Sequence, residues 1–448
     1  MRRPKLLMML LLILAIIFGS ALPCYSASFD LSEYDGIGIY AVETNSGDVL
    51  IEQNAHVKMY PGSITKIMTV LVTLDYCSDI SEKVTITGEM LDMLGYNSST
   101  ADLEVGEELT VSDLIYAALI PSGNDAAIAL AVHTGEKILG TGRQTKDFYD
   151  AFINAMNARA AKIGMSETHF ANADGYDDYE NYSTAYDVFI LGREASKNEL
   201  VTKVAAQKQV NVTTNMGEHE WDSTNLFYYT ELPDFYGGGE NPYYCSYVTG
   251  MKTGYTDIGQ KCLLFTAKDE NKKIIGAILN VNDDDYTNIW AKTYSMLDYI
   301  INKHTLTELI TDDSRHCALQ ISNPAFLKSA KLNIYASSNG LTCLDNDFLN
   351  TLNSKIVVNA DNCELKNNGK VKLKKDIRAG DKVASLVFYS GETEIISIDM
   401  IAIENCGRFG MFDFVLYLVL VCAVFIVMYA IYININKLGK KKYVRKSL

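Results

Sequence analysis

The chain has 448 residues, 48% of them hydrophobic and 21% charged, with a formal net charge of -15. That composition excludes an intrinsically disordered chain and leaves room for two or three domains. The negative balance argues against a nucleic-acid partner, which a basic patch would announce.

At the N-terminal end, Arg2, Arg3 and Lys5 precede an apolar run at 6–18, and small residues follow at Ser26 and Ala27. A positive head, an apolar run too short to span comfortably and a small-residue zone predict a signal peptide over residues 1–27. An uncleaved anchor and lipidation at Cys24 are the alternatives, and Pro23 fits the second poorly. Alternation at 37–42 predicts a strand, Asn45-Ser46-Gly47 a turn, and 49–51 the return strand. Over 63–76, Ile64, Ile67, Met68, Leu71 and Val72 recur at helical spacing. The apolar residues sit on more than one side, so this helix is expected to be largely buried. A second helix is predicted over 111–120, with Thr110 and Asp113 as a capping box. Pro121-Ser122-Gly123 breaks it, and Asn124 or Asp125 caps a new helix through 126–132. Phe148, Phe152, Met156, Ala160 and Ile163 mark a further helix, closed by Gly164.

Strands return at 248–253, then at 262–267 and 274–280 as a hairpin around Asp269-Glu270-Asn271; 286–301 is helical in period. Strands at both ends with helices between predict an α+β domain over 30–303, a sheet of sequence-distant strands covered by helices. Beyond His304, β-like runs at 331–335, 384–389 and 395–403 predict a small all-β domain over 304–405. Residues 414–433 then carry no formal charge. They are long enough for a bilayer core of about 30 Å, so a transmembrane helix is predicted over 412–433. Lys437, Lys440, Lys441, Lys442, Arg445 and Lys446 mark 434–448 as a cytoplasmic tail, with everything before the span outside. A helix lying on the membrane surface is the alternative, and an all-round apolar run disfavours it.

Seven cysteines lie outside the signal and the span: Cys77, Cys245, Cys262, Cys317, Cys343, Cys363 and Cys406. Their number is odd and their spacing matches no zinc pattern, so they read mostly as small buried hydrophobes, with disulfides left open. No two of the six histidines have metal-ligand spacing, and neither a metal nor a cofactor is expected. The tyrosine-rich stretch 227–247 reads as packing in preference to a substrate loop.

Three short motifs carry chemistry. In Ser63-Ile64-Thr65-Lys66, positions i and i+3 share a helix face, which brings the Lys66 amine to the Ser63 hydroxyl. A desolvated lysine can act as the base that a serine nucleophile needs. Ser122-Gly123-Asn124 stands at a helix break, and Lys252-Thr253-Gly254 follows a strand-like run. Lysine and threonine can bind a carboxylate there, while glycine admits a substrate backbone. Each motif alone is more often a cap, a turn or a strand end; the three in this order are specific.

That ordered set resembles the penicillin-recognising serine enzymes. The flanking residues Pro61-Gly62 and Ile67-Met68-Thr69, Pro121 with Asp125-Ala126-Ala127, and Tyr255-Thr256 resemble the low-molecular-mass penicillin-binding proteins that are D-alanyl-D-alanine carboxypeptidases. Segments 170–176 and 183–187 do so too, and the likeness extends over 35–301. The resemblance implies a penicillin-binding, β-lactamase-like transpeptidase fold and removal of the terminal D-alanine from peptidoglycan stem pentapeptides. Ser63 would attack, Lys66 would be the general base, and Ser122 and Asn124 would assist proton transfer and hold the peptide. Lys252 and Thr253 would bind the terminal carboxylate, Gly254 would admit the substrate, and the N–H groups of Ser63 and Tyr255 would form the oxyanion hole. It further implies β-lactam antibiotics as covalent inhibitors. Burial and the Lys252 cation are expected to lower the Lys66 pKa. The chain departs from the family pattern at Tyr255, at Ile258-Gly259 and at Gly62, none of which removes a needed group. A β-lactamase, an endopeptidase acting on cross-links and a non-catalytic wall-binding protein are the competing readings.

Overall fold

The computed structural model describes residues 29–233, 237–282, 287–311 and 314–444. The expected signal peptide with Cys24, Tyr286 at the start of an expected helix, and Arg445 and Lys446 lie outside the described residues. The chain divides into two compact units, one ending at Leu306 and the other beginning at Thr307.

The first unit is built on an antiparallel sheet of β1 (Gly38–Glu43), β2 (Val49–Gln53), β3 (Val248–Thr256), β4 (Gln260–Lys268) and β5 (Lys273–Val281), in the order β2-β1-β5-β4-β3. β1 joins sequence-distant β5, with Gly38 opposite Leu279 and Glu43 opposite Ile274. Alternation gives the sheet two apolar faces. Leu263, Phe265 and Ile278 pack with Ile289, Trp290, Met296 and Leu297 of the helix Asn288–Lys303. Cys262, Leu264, Ala277 and Leu279 face the opposite layer of helices. That layer centres on α1 (Thr65–Tyr76), whose residues 65–73 are all buried. Around it lie α2 (Val111–Leu119), α3 (Asn124–Leu139), α4 (Thr145–Ile163) and α5 (Ala185–Ala195). Each fully buried aliphatic side chain, such as Ile67 or Val70, contributes about 1.5–3 kcal/mol relative to exposure.

The capping box of α2 forms as expected, and Gly164 closes α4 in the left-handed conformation. Three differences matter for the site. The helix expected from Ser63 begins with a 3-10 turn, Gly62–Ile64, before α1 proper. The strand expected to end at 253 continues to Thr256, because Lys252, Thr253 and Gly254 pair with Leu264, Leu263 and Cys262. The helix expected over 126–132 runs from Asn124 to Leu139. Helix α5, capped by the Thr184 hydroxyl, and the hairpin of Gln209–Thr213 with Glu218–Asp222 were not expected as elements.

The second unit has its own five-stranded antiparallel sheet. Its strands are β6 (His316–Gln320), β7 (Lys331–Ala336), β8 (Asn353–Val358), β9 (Lys382–Ser390) and β10 (Thr393–Ala402), in the order β6-β7-β10-β9-β8. Leu332, Ile334, Val383, Ile398 and Met400 fill its core. The helix Met411–Val444 follows. Its stretch Met411–Asn434 is long and apolar enough to cross a membrane.

Candidate active site

The 3-10 turn holds Ser63 at the mouth of α1, one turn before Lys66. Lys66 is fully buried, and its ammonium nitrogen has three partners: Ser63 Oγ at 2.8 Å, Asn124 Oδ1 at 2.6 Å and the Asp174 carbonyl at 2.7 Å. The Asn124 amide oxygen and the Asp174 carbonyl only accept, so they take two N–H bonds. The third tetrahedral position therefore faces Ser63. It carries a proton in the cation and a lone pair in the neutral amine. Burial pushes the Lys66 pKa down to about 8, with the Asp174 and Asp125 carboxylates opposing. At pH 7 roughly one molecule in ten then holds the neutral amine.

The helix break sets the second group. Ser122 is a non-glycine residue at φ +68°, a conformation that costs on the order of 1–3 kcal/mol. It is 5% exposed, and α3 begins two residues later at Asn124. The buried Asp125 carboxylate fixes the break by accepting from the N–H groups of Ala101, Leu103 and Ala126 at 2.9–3.1 Å. Those bonds also draw residues 101–103 against the site, and Asn124 N donates to the Ser99 carbonyl at 2.8 Å.

The third group lies on β3, an edge strand of the sheet. An edge strand leaves alternate backbone groups open to an extended peptide. Lys252 is 2% exposed and donates to its neighbour Thr253 at the carbonyl (3.2 Å) and Oγ1 (3.4 Å). Thr253 Oγ1 lies 2.6 Å from Thr224 Oγ1. Burial first, then the Lys66 cation, depress the Lys252 pKa well below the lysine range. At Gly254 a Cβ would stand 2.3 Å from the Pro61 carbonyl, so only glycine lets β3 approach the 3-10 turn this closely.

Ser63, Ser122, Asn124, Thr253, Gly254 and Tyr255 line one cleft of about 600 Å³. Lys66 and Lys252 join it through their bonds to Ser63 and Thr253, so all eight sequence-selected residues meet in one place. Among the described residues, none of 227–247 lines that cleft, and Phe227 is fully buried while Tyr228 donates to the Ala205 carbonyl. Sequence reasoning missed the Asp174 carbonyl, the brace at Asp125, Thr224 and the wall formed by 96–99. Asp174 and Asp125 fall within family-like segments. A backbone acceptor and a carboxylate bonded to amides leave no residue-type signal, so their roles were not visible.

The profile of the D-alanyl-D-alanine carboxypeptidase family, peptidase S11, matches residues 37–283. The carboxypeptidase DacF of Bacillus subtilis is 31% identical over 267 residues, spanning 59% of this chain and 61% of the relative. A D-alanyl-D-alanine carboxypeptidase of Streptomyces sp. strain K15 is 34% identical over 251 residues, spanning 54% and 80%. The crystal structure of the Streptomyces K15 DD-transpeptidase superposes with a TM-score of 0.51 at 30% identity, covering 58% of this chain and 95% of that one. DacD of Francisella tularensis shares the fold over 85% of this chain, with a TM-score of 0.65 at 24% identity. With more than half of its length matched by the family profile, the chain belongs to the D-alanyl-D-alanine carboxypeptidase family, peptidase S11.

Proposed function

We propose that this protein is a serine D-Ala-D-Ala carboxypeptidase that removes the terminal D-alanine from peptidoglycan stem pentapeptides. The observation that carries the reading is the fully buried Lys66, whose one uncommitted position meets Ser63 Oγ at 2.8 Å. Ser63 Oγ bonds to the carbonyl carbon between the two D-alanines, and its proton passes to neutral Lys66. Ser122 and Asn124 assist proton transfer and hold the peptide. The C–N bond then breaks, the leaving amine takes the proton, and D-alanine departs. Water, deprotonated in the same way, cleaves the acyl ester. The N–H groups of Ser63 and Tyr255 stabilise the oxyanion, where one good donor is worth roughly 3 kcal/mol. Lys252 and Thr253 take the terminal carboxylate, and Gly254 admits the peptide backbone. A β-lactam enters as the same kind of acyl donor and remains on Ser63.

The similarity to the Streptomyces K15 DD-transpeptidase supports a second outcome for the acyl-enzyme, capture by an amine in place of water. For location, we read residues 1–27 as an export signal and 30–303 as the catalytic domain. Residues 304–405 act as a spacer and 412–433 as a single span, with 434–448 cytoplasmic, by charge and length. D-alanine release from an acetylated pentapeptide by the detergent-solubilised chain tests the activity. Release that Ser63→Ala abolishes and penicillin blocks supports it; absence of release together with absence of penicillin labelling overturns it.

A further inference from the structure

Four consecutive residues, Asp174 to Asp177, join three sides of the cleft. The Asp174 carbonyl accepts from Lys66 Nζ at 2.7 Å. Gly175, at φ +80°, lies so close to the 3-10 turn that a Cβ would stand 2.0 Å from the Gly62 carbonyl and 2.9 Å from Ser63 N. The Tyr176 ring covers Gly95, and its hydroxyl donates to the Tyr96 carbonyl at 3.0 Å. Asp177 reaches the opposite wall. One carboxylate oxygen accepts Asp257 N–H at 3.0 Å and the other accepts Ile258 N–H at 3.2 Å.

Asp257 and Ile258 form the turn that joins β3 to β4, two residues beyond Tyr255. The turn's other side-chain hydrogen bonds are local: Gly259 N–H to Thr256 Oγ1 at 2.9 Å, Gln260 Nε2 to the Asp257 carbonyl at 2.7 Å, the Tyr255 hydroxyl to Asp257 Oδ1 at 3.3 Å, and Cys262 Sγ to the Gly259 carbonyl at 3.4 Å. The Asp177 carboxylate therefore anchors the turn's amides to the segment that also contacts Lys66 and Ser63. A charged acceptor bonded to two parallel N–H groups is about twice as strong as neutral pairs and fixes direction as well as distance. An oxyanion donor acts only within about 2.7–3.1 Å of the developing charge, so a small drift of Tyr255 N–H would forfeit it.

We propose that Asp177 is a positioning residue: it clamps the β3–β4 turn and so keeps Tyr255 N–H aimed at the oxyanion. This rests on the reading in which Ser63 is the nucleophile and Tyr255 N–H an oxyanion donor. Its effect belongs to the transition state, so it appears in kcat/KM and kcat and leaves substrate binding largely unchanged.

The experiment uses the full chain in detergent with an ester substrate and its thionoester, which differ only in sulfur for oxygen at the reacting carbonyl. Sulfur makes a longer bond and accepts hydrogen bonds weakly, so an intact oxyanion hole favours the ester. Asp177→Ala is expected to lower ester kcat/KM roughly 10- to 100-fold, as partial loss of one donor would. The thionoester rate should fall far less, so the ester-to-thionoester ratio collapses. Asp177→Asn keeps the shape but loses the charge and one acceptor, so the ratio falls in the same direction by less. Should Asp177→Ala fail to fold, as judged by its melting temperature, Asp177→Asn decides alone. Equal losses on both substrates, with the ratio unchanged, would show a merely structural residue and overturn the proposal. A wild-type chain without ester turnover, or a Ser63→Ala variant that retains it, would instead overturn the reading underneath.

Discussion

The cleft and the β-rich second unit solve different problems with the same kinds of element. In the second unit, Leu332, Ile334, Val383 and Met400 fill a sheet core, and among the described residues its buried polar side chains are few and uncharged apart from Asp345. The cleft instead buries Lys66, Lys252, Asp125 and Asp174 within one small region and holds Ser122 in an unfavourable backbone conformation. Burying charge costs stability unless each group is bonded, and breaking one partner exposes that cost. The first unit also buries Glu43, Glu107, Asp187 and Lys272 away from the cleft, but among the described residues only the cleft brings two buried lysines and a left-handed serine together, as a site for perturbed groups would.

Substitutions should separate the two regions. The largest effect is expected at Ser63. Ser63→Ala should abolish covalent labelling by a fluorescent penicillin while the melting temperature stays near wild type; stoichiometric labelling of the variant would remove the contrast altogether. Gly175→Ala should come next. Its Cβ meets the Gly62 backbone at φ +80°, and neither side can yield cheaply. A loss of acylation of 10-fold or more is expected with destabilisation of about 1–3 kcal/mol, read from labelling rates and denaturant unfolding. Leu332→Ala in the other core should be destabilising by about 2–5 kcal/mol yet leave the acylation rate unchanged. If it slows acylation, the regions are not independent in function.

Ser122→Gly sharpens the comparison with a smaller effect of opposite sign. Glycine accepts φ +68° freely, so the variant should gain up to about 1 kcal/mol of stability while losing turnover. Lys66 also links the cleft to pH. Its folded value of about 8 lies below the 10.5 of a free lysine, so the fold disfavours the ammonium. That cost is fully present below pH 8 and is relieved as pH rises from 8 towards 10.5. Wild-type stability relative to Lys66→Met should therefore rise across that window, by about 3 kcal/mol at most.

Much of this was legible in the sequence, for reasons that differ by residue. The helix at α1 and the hairpin of β4 and β5 announced themselves by period, and the capping box at Thr110 and Asp113 by residue type. The ordered motifs, with the adjacent Tyr255 supplied by the family resemblance, selected eight residues that the fold brings to one cleft. The pairing of β1 with β5 across more than 200 residues was not readable, since register depends on which distant strand supplies the edge. Nor was the extent of β3, because glycine and lysine at 252–254 look like the end of a strand until β4 pairs with them. The bonds made by Asp174 and Asp177 involve main-chain groups, which every residue carries.

The central claim is that buried Lys66 is the base that activates Ser63. The most direct test is the second-order rate of β-lactam acylation as a function of pH, for wild type and Lys66→Arg. The wild-type rate should rise with pH through a midpoint near 8, as the ammonium loses the proton that faces Ser63. Arginine cannot shed a proton in that range, so Lys66→Arg should lose acylation at every pH. A wild-type profile flat through pH 8, or a Lys66→Arg variant that acylates near the wild-type rate, would contradict it.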